Sequence, residues 1–217
     1  MVENKNRTLF TKYLIDKIMA ILGLFVTSPI FFFVTIGLKL KKQDVFYLQK
    51  RVGYKGNDFY VYKFTTMPKG SEKMGYITTA NDNRPFKFGK FLRKTKINEL
   101  PQLLNVLLGD MSLVGPRPLV REQLATTLSE MQIVQYYTMR PGITGAGSLI
   151  YHHEDQLLAT VNNPFEYDRK VILPHKKRLE LAYANNWSFK LDIRIILLTI
   201  FAVINKKVVI TEEMIFR

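Results

Sequence analysis

The sequence predicts an α+β chain, mostly helical, with one small β-hairpin and an N-terminal re-entrant membrane helix broken at Ser28-Pro29. Three observations point there. Ile18 to Leu38 is a run of 21 residues without a charge, interrupted by that Ser-Pro pair. Two β-like runs, VFYLQKRV and DFYVYKFTTM, flank the turn-rich segment Gly53 to Asn57, which is the pattern of a hairpin. From Phe86 onward apolar residues recur at helical spacing, through Phe88, Leu92, Leu100, Leu103, Leu104, Val106 and Leu107.

As a straight helix the apolar run would reach about 31 Å, roughly the hydrocarbon thickness of a bilayer. It is too long for a cleaved signal peptide and has no small-residue cleavage site. Three consecutive phenylalanines and no polar face suit lipid better than a protein core. Proline in mid-helix removes a backbone hydrogen bond and crowds the preceding turn, at a cost of about 3 kcal/mol. Lys5, Arg7, Lys12 and Lys17 precede the run and Lys39, Lys41 and Lys42 follow it, so the positive-inside rule prefers neither orientation. A helix that dips in and returns satisfies both facts, with both ends at the cytoplasmic face, where basic residues meet anionic lipid. A kinked single span is the alternative. Residues 1–40 are therefore read as the membrane element and 41–217 as a domain on the cytosolic face with interfacial helices.

After the hairpin, Pro68 to Pro85 reads as a polar loop. Pro101 is tolerable only in a first helical turn, which makes Asn98 the expected N-cap, with Glu99 in the opening turn. Leu124 to Tyr136 reads as a helix, as does Asn163 to Asn186 on both sides of Pro174. Leu191 to Val203 is apolar enough to be either a buried helix or one lying in the membrane interface.

Composition narrows the chemistry. The 217 residues include no cysteine, which removes disulfides, iron–sulfur clusters and thiol nucleophiles. The net charge is +14, so the surface wants an anionic partner. Lys39 to Lys96 holds 15 basic residues against Asp44, Asp58, Glu72 and Asp82. Nucleic acid is disfavoured because the apolar run accompanies the charge and no helix shows a basic face. There is no Walker loop, and GITGAG (residues 142–147) follows an Arg-Pro turn and no strand, which weakens a dinucleotide reading. His152, His153 and His175 lack metal-ligand spacing. What stands out is arginine in turns: Arg93 shortly before Asn98, Arg117 between prolines in GPRP, and Arg140 opening RPGITG. An arginine fixed by neighbouring proline or glycine loses less entropy on clamping a phosphate. Three of them near the carboxylate Glu99 describe a diphosphate or triphosphate site, with Glu99 available as a Mg²⁺ ligand. Lys63 is a further candidate.

At these residues the sequence resembles the bacterial sugar transferases, the monotopic phosphoglycosyl transferases of short form. The text that carries the resemblance is Lys50-Arg51-x-Gly53, Tyr62 to Met67, FGKFLRKTKINELPQLLNVLLGDMSLVGPRP (residues 88–118), RPGITG and LDIRIILLTIF. The resemblance implies transfer of a sugar 1-phosphate from a UDP-sugar to undecaprenyl phosphate, with release of UMP, as the first membrane step of glycan assembly. It implies a ping-pong mechanism in which an aspartate attacks the β-phosphate, Mg²⁺ as cofactor, and membrane lipids around the enzyme; a homodimer is compatible with it. Carried over by position, Asn98 and Glu99 are the catalytic pair, Glu99 the Mg²⁺ ligand, and Lys63, Arg93, Arg117 and Arg140 the substrate-binding residues. The family's pair is Asp-Glu, and here it is Asn98-Glu99. An amide is a poor nucleophile towards phosphorus. Asn98 disables the enzyme and leaves a silent binder of UDP-sugar or polyprenyl phosphate, or Glu99 takes over the attack, or the lipid phosphate attacks directly. Thr65 also stands where the family usually carries a basic residue.

Overall fold

The computed structural model describes residues 2–71, 79–125, 129–205 and 207–217. Part of the expected polar loop (72–78), part of the expected helix after Leu124 (126–128) and Met1 lie outside the described residues, as do the side chains of Lys5 and Arg7.

The chain opens with one long helix, α1, Val2–Leu40. The expected interruption at Ser28-Pro29 is absorbed inside it, because helical backbone runs on through Pro29. Side chains explain how. Proline leaves the carbonyl of Phe25 without its usual amide, and Ser28 Oγ donates to that carbonyl at 2.8 Å. Thr27 Oγ1 donates likewise to Gly23 O at 2.6 Å. The Ser28 bond replaces the one proline removes, while the Thr27 bond falls on a carbonyl that proline does not orphan.

The hairpin forms as expected. Strands β1 (Phe46–Val52) and β2 (Asp58–Phe64) pair antiparallel, with Phe46 opposite Phe64 and Val52 opposite Asp58. Next come α2 (Lys87–Lys94), a 3₁₀ turn over Ile97–Glu99 and α3 (Gln102–Leu108). Asn98 is not the N-cap of α3. Pro101 holds that position, and Asn98 is buried in the 3₁₀ turn, which leaves a left-handed Lys96 (φ 60°). Asn105 of α3 fastens the hairpin, donating to Tyr60 O at 2.7 Å and accepting from Tyr62 N at 2.9 Å.

Strand β3 (Ser112–Val114) follows, then α4 (Arg121–Ala125), α5 (Glu130–Tyr136) and β4 (Gly142–Thr144). β3 and β4 pair in parallel, Ser112 with Gly142 and Val114 with Thr144. Strands of three residues carry no readable alternation, so this sheet is not foreshadowed in the sequence pattern. The remainder is helical: α6 (Ala146–Ile150), α7 (Glu154–Ala159), α8 (Pro164–Tyr167), α9 (Leu173–Asn185), α10 (Phe189–Ile204) and α11 (Glu212–Phe216). A π-turn over Asp168–Ile172 joins α8 to α9. It leads directly into Pro174, so the segment stays helical where proline cannot donate.

The main core joins α6, α9, α10 and α11 around Leu149, Leu179, Tyr183 and Ile195. α1 docks on the rest along a seam. Lys12 reaches Asp192 of α10 at 2.7 Å and Asp16 at 3.3 Å, and Ser112 donates to Asp16 at 2.5 Å. Ala20 packs with Val61, Val106 and Met111. Phe31 lies edge-on to Phe64 at 4.9 Å, and Val34 and Leu38 join Phe64 and Leu92. Positions 12, 16, 20, 31, 34 and 38 fall on one helical face, and the seam covers about 39 Å of helix. Lys12, counted above among the basic flanks, is therefore no flank, since only 1% of it is exposed. The opposite face presents Phe10, Leu22, Phe25, Val26, Phe32 and Phe33 to the surroundings. α10 does the same, burying Leu191, Asp192 and Ile195 while exposing Ile193, Leu197, Ile200 and Ile204.

Candidate functional site

A cavity of about 1150 Å³ lies between the hairpin, the α2–α3 turn, the GPRP turn and α10. Period two in the strands sets its first wall. Arg51 of β1 and Lys63 of β2 share the inward face of the hairpin and both line the cavity. Arg51 is steadied by Gln49 (2.7 Å) and by Pro118 O (3.3 Å). Arg93 comes from the last turn of α2, and Lys96, Asn98 and Glu99 from the turn beyond it.

Arg117 completes the ring. Its backbone is held by Tyr137, a fully buried side chain whose hydroxyl donates to Arg117 O at 2.8 Å and accepts from Leu119 N at 3.0 Å. Gly142 N donates to Pro116 O and Gly115 N to Thr144 O, both at 3.0 Å. The GPRP and RPGITG turns thus brace each other through the β3–β4 sheet.

The result is one carboxylate among crowded cations. Burial alone would push Glu99 up, but Lys63, Lys96, Arg117 and Arg93 outweigh it and hold the carboxyl below its ordinary range. The cations bear the opposite strain. Burial, with Arg51, Arg117 and Arg93 nearby, lowers Lys63 to about 7 despite Glu99. Burial and Arg117 lower Arg51 to about 10. Such a cluster is built to receive further negative charge. Two buried oxygens, Asn98 Oδ1 and Thr65 Oγ1, have no hydrogen-bond partner.

Lys63, Arg93, Asn98, Glu99 and Arg117 all line this one cavity. Arg140 does not. Its guanidinium lies 4.2 Å above the ring of Tyr13 on α1, and its amide donates to the Tyr13 hydroxyl at 3.2 Å. It is absent from the cavity wall. Arg51 and Lys96 were missed. The signal for Arg51 was its same-face register with Lys63; Lys96 offered none, because only the left-handed backbone turns it inward. Of the histidines, His152 is spent on Leu149 O (2.8 Å) and Val208 O (3.1 Å), and His175 on Tyr151 (2.7 Å) and Glu212 (3.0 Å).

Residues 7–206 match the family model described as bacterial sugar transferase. The chain is 36% identical over 213 residues to a UDP-glucose:undecaprenyl-phosphate glucose-1-phosphate transferase of Xanthomonas campestris pv. campestris, covering 95% of this chain and 41% of that protein. It is 37% identical over 202 residues to EpsL, an uncharacterized sugar transferase of Bacillus subtilis, covering 93% of this chain and 88% of EpsL. An undecaprenyl-phosphate galactose phosphotransferase of Salmonella typhimurium is 32% identical over 219 residues, covering 93% of this chain and 42% of that protein. The chain therefore spans about two fifths of the length of the Xanthomonas and Salmonella relatives and most of EpsL.

Two expectations follow for pyrophosphate, the simplest ligand of this charge pattern. Arg117→Ala removes a charge-assisted contact, on the order of 1.5–3 kcal/mol, and binding should weaken about ten- to hundred-fold with little change in Tm. Arg140→Ala should instead lower Tm, because it removes the stack on α1, and leave binding near the unsubstituted value. Calorimetric titration and thermal unfolding of both variants check this, and the reverse ranking would place Arg140 at the ligand.

Lys63 supplies a pH signature. With its folded pKa at about 7, the charged form is populated below pH 7 and lost above it, so pyrophosphate affinity should fall as pH rises from 7 to 9. Lys63→Arg, which stays charged, should flatten that fall. An unchanged pH profile in the variant would remove Lys63 from the binding set.

Proposed function

The chain belongs to the bacterial sugar transferase family, and we propose that within it the protein transfers a sugar 1-phosphate from a UDP-sugar to undecaprenyl phosphate, releasing UMP. One observation carries this reading: Arg51, Lys63, Arg93, Lys96 and Arg117 converge on an ionised Glu99 in a cavity that also reaches α10 at Thr199, Ala202 and Val203. The basic end suits a diphosphate. The α10 wall, on a helix whose other side is exposed and apolar, suits a lipid-borne phosphate arriving from the membrane.

Arg93 and Arg117 clamp the two phosphates and Lys63 neutralises charge as it gathers during transfer. Mg²⁺ fits the donor set. Among the described residues no three Asp, Glu, His or Cys side chains gather as a cage, and Mg²⁺ commonly takes one or two carboxylates, with phosphates and water supplying the rest. Glu99 would hold it, with the unpartnered Asn98 Oδ1 beside it; the metal would supply charge neutralisation at the phosphates. The seam of α1 supports membrane association at the cytoplasmic face. A helix docked on its own domain near both ends, at Lys12 and at Leu38, with its middle stretch exposed, holds those ends against one domain, which favours both ends on one side. Single cysteines at Glu3 and Gln43 should then both resist a membrane-impermeant thiol reagent applied from outside; labelling at position 3 alone would establish a span.

Asn98 favours one second reading, a protein that binds its ligands without turnover. Asp and Asn are nearly isosteric, and Asn98 is buried beside cations that would keep an aspartate ionised. Asn98→Asp should therefore release UMP faster from a panel of UDP-sugars with undecaprenyl phosphate and give a trappable sugar-phosphate adduct. Glu99→Gln should abolish release in either background. Brisk turnover by the Asn98 protein, slowed in the aspartate variant, would end the idea of a disabled nucleophile and leave Glu99 or direct attack.

A further inference from the structure

The GITGAG segment is not accounted for by any ligand, and a side chain from a distant helix accounts for it. Glu180 of α9 is 1% exposed. Its Oε1 accepts the amide of Gly147 at 3.1 Å, and the backbone amide of Arg117 faces the same carboxyl. A Cβ on Gly145 would stand 3.1–3.2 Å from the two carboxyl oxygens and 2.2 Å from Gly115 O, and one on Gly147 would stand 2.8 Å from Oε1. Glycine at both positions is what admits the carboxyl. Its Oε2 has no hydrogen-bond partner. One carboxyl thus sits where the GPRP turn, the RPGITG turn and α9 meet, and it does not line the cavity.

We propose that Glu180 is a positioning residue: it clamps the Arg117 turn to the Gly145–Gly147 turn and so sets where the Arg117 guanidinium enters the cavity. This rests on reading that cavity as the diphosphate site. A lone backbone contact would be ordinary core satisfaction. A carboxyl buried between the amides of two motif turns, one of which carries a cavity arginine, is a hinge pin.

The electrostatics around it give the clamp a pH dependence. Lys176 and Tyr183 of α9, Arg117, and Tyr136 and Tyr137 of the α5 region face the carboxyl. Burial outweighs the amides of Gly147 and Arg117 and the charges of Lys176 and Arg117, and pushes Glu180 up to about 8. Below that pH the group is a neutral acid. Above it a negative charge appears behind Arg117 and opposes the incoming phosphates.

Hydrogen exchange of the full chain in detergent, with UDP titrations at pH 7 and pH 9, tests the assignment. In Glu180→Ala the amides of Arg117 and Gly147 should exchange about tenfold faster and UDP should bind about tenfold more weakly. Glu180→Gln keeps an acceptor for Gly147 but never ionises. Its exchange should stay within about twofold of the parent at pH 7, and it should lack that part of the alkaline loss in UDP affinity that exceeds the Lys63 contribution. Unchanged exchange at both amides in Glu180→Ala overturns the clamp. Should that variant fail to fold, a pH profile for Glu180→Gln identical to the parent's overturns it as well. Faster exchange at both amides without any UDP binding would uphold the clamp and sink the sugar-nucleotide reading.

Discussion

Like-charge crowding at Glu99 is the constraint from which the rest of the architecture follows. Five cations, Arg51, Lys63, Arg93, Lys96 and Arg117, share one cavity with a single enclosed carboxylate, and at short range their mutual repulsion is worth kilocalories. Left on flexible loops they would swing apart into water. Each is instead fixed by backbone: two by the register of a hairpin, one by a helix end, one by a left-handed turn, one by a turn between prolines. Burial first, and the neighbouring Arg51, Arg117 and Arg93 after it, lower Lys63 to about 7. On the proposed reading of the cavity, a diphosphate there would offset that like charge.

The bracing of Arg117 shows how much structure that demands. Tyr137 ties its carbonyl, the β3–β4 pairing ties the turns before and after it, and Glu180 closes the back. Neither Tyr137 nor Glu180 lines the cavity itself. Much of the sequence text shared by GPRP and RPGITG is therefore about holding one arginine still. Arg140 belongs to the same logic from the other side, because stacked on Tyr13 it fastens the second turn to α1.

In the proposed function, α1 is the element that links chemistry to membrane. The ion cluster of Lys12, Asp16 and Asp192 pins its first half, and aromatic packing from Phe31 to Leu38 pins its second. Buried ion pairs seldom add much stability over apolar packing, yet they are exacting about register. With α1 in register, its exposed apolar face and that of α10 sit on the same domain as the cavity mouth at Ala202 and Val203. A substrate whose tail stays in lipid and whose phosphate must leave it needs that adjacency.

What the sequence determined by itself was whatever is written in a local period or in a long shared motif. The hairpin was legible through alternation, α10 through its apolar run, the family through residues 88–118, and Arg117 through the prolines on either side of it. The fate of Pro29 was not, because the Ser28 hydroxyl that satisfies Phe25 O acts only once the helix is formed. Nor was Asn98 in its 3₁₀ turn, which depends on the left-handed residue before it. Tertiary structure alone decided which arginines share the cavity, since Arg117 and Arg140 read alike as turn arginines and differ only in what packs behind them. It alone turned Lys12 from a flank into a buried ion, and brought Glu180 to two glycines more than thirty residues away. The reason is common to all three: side-chain direction and long-range contact are fixed by packing between elements, and no pattern within one element records its neighbour.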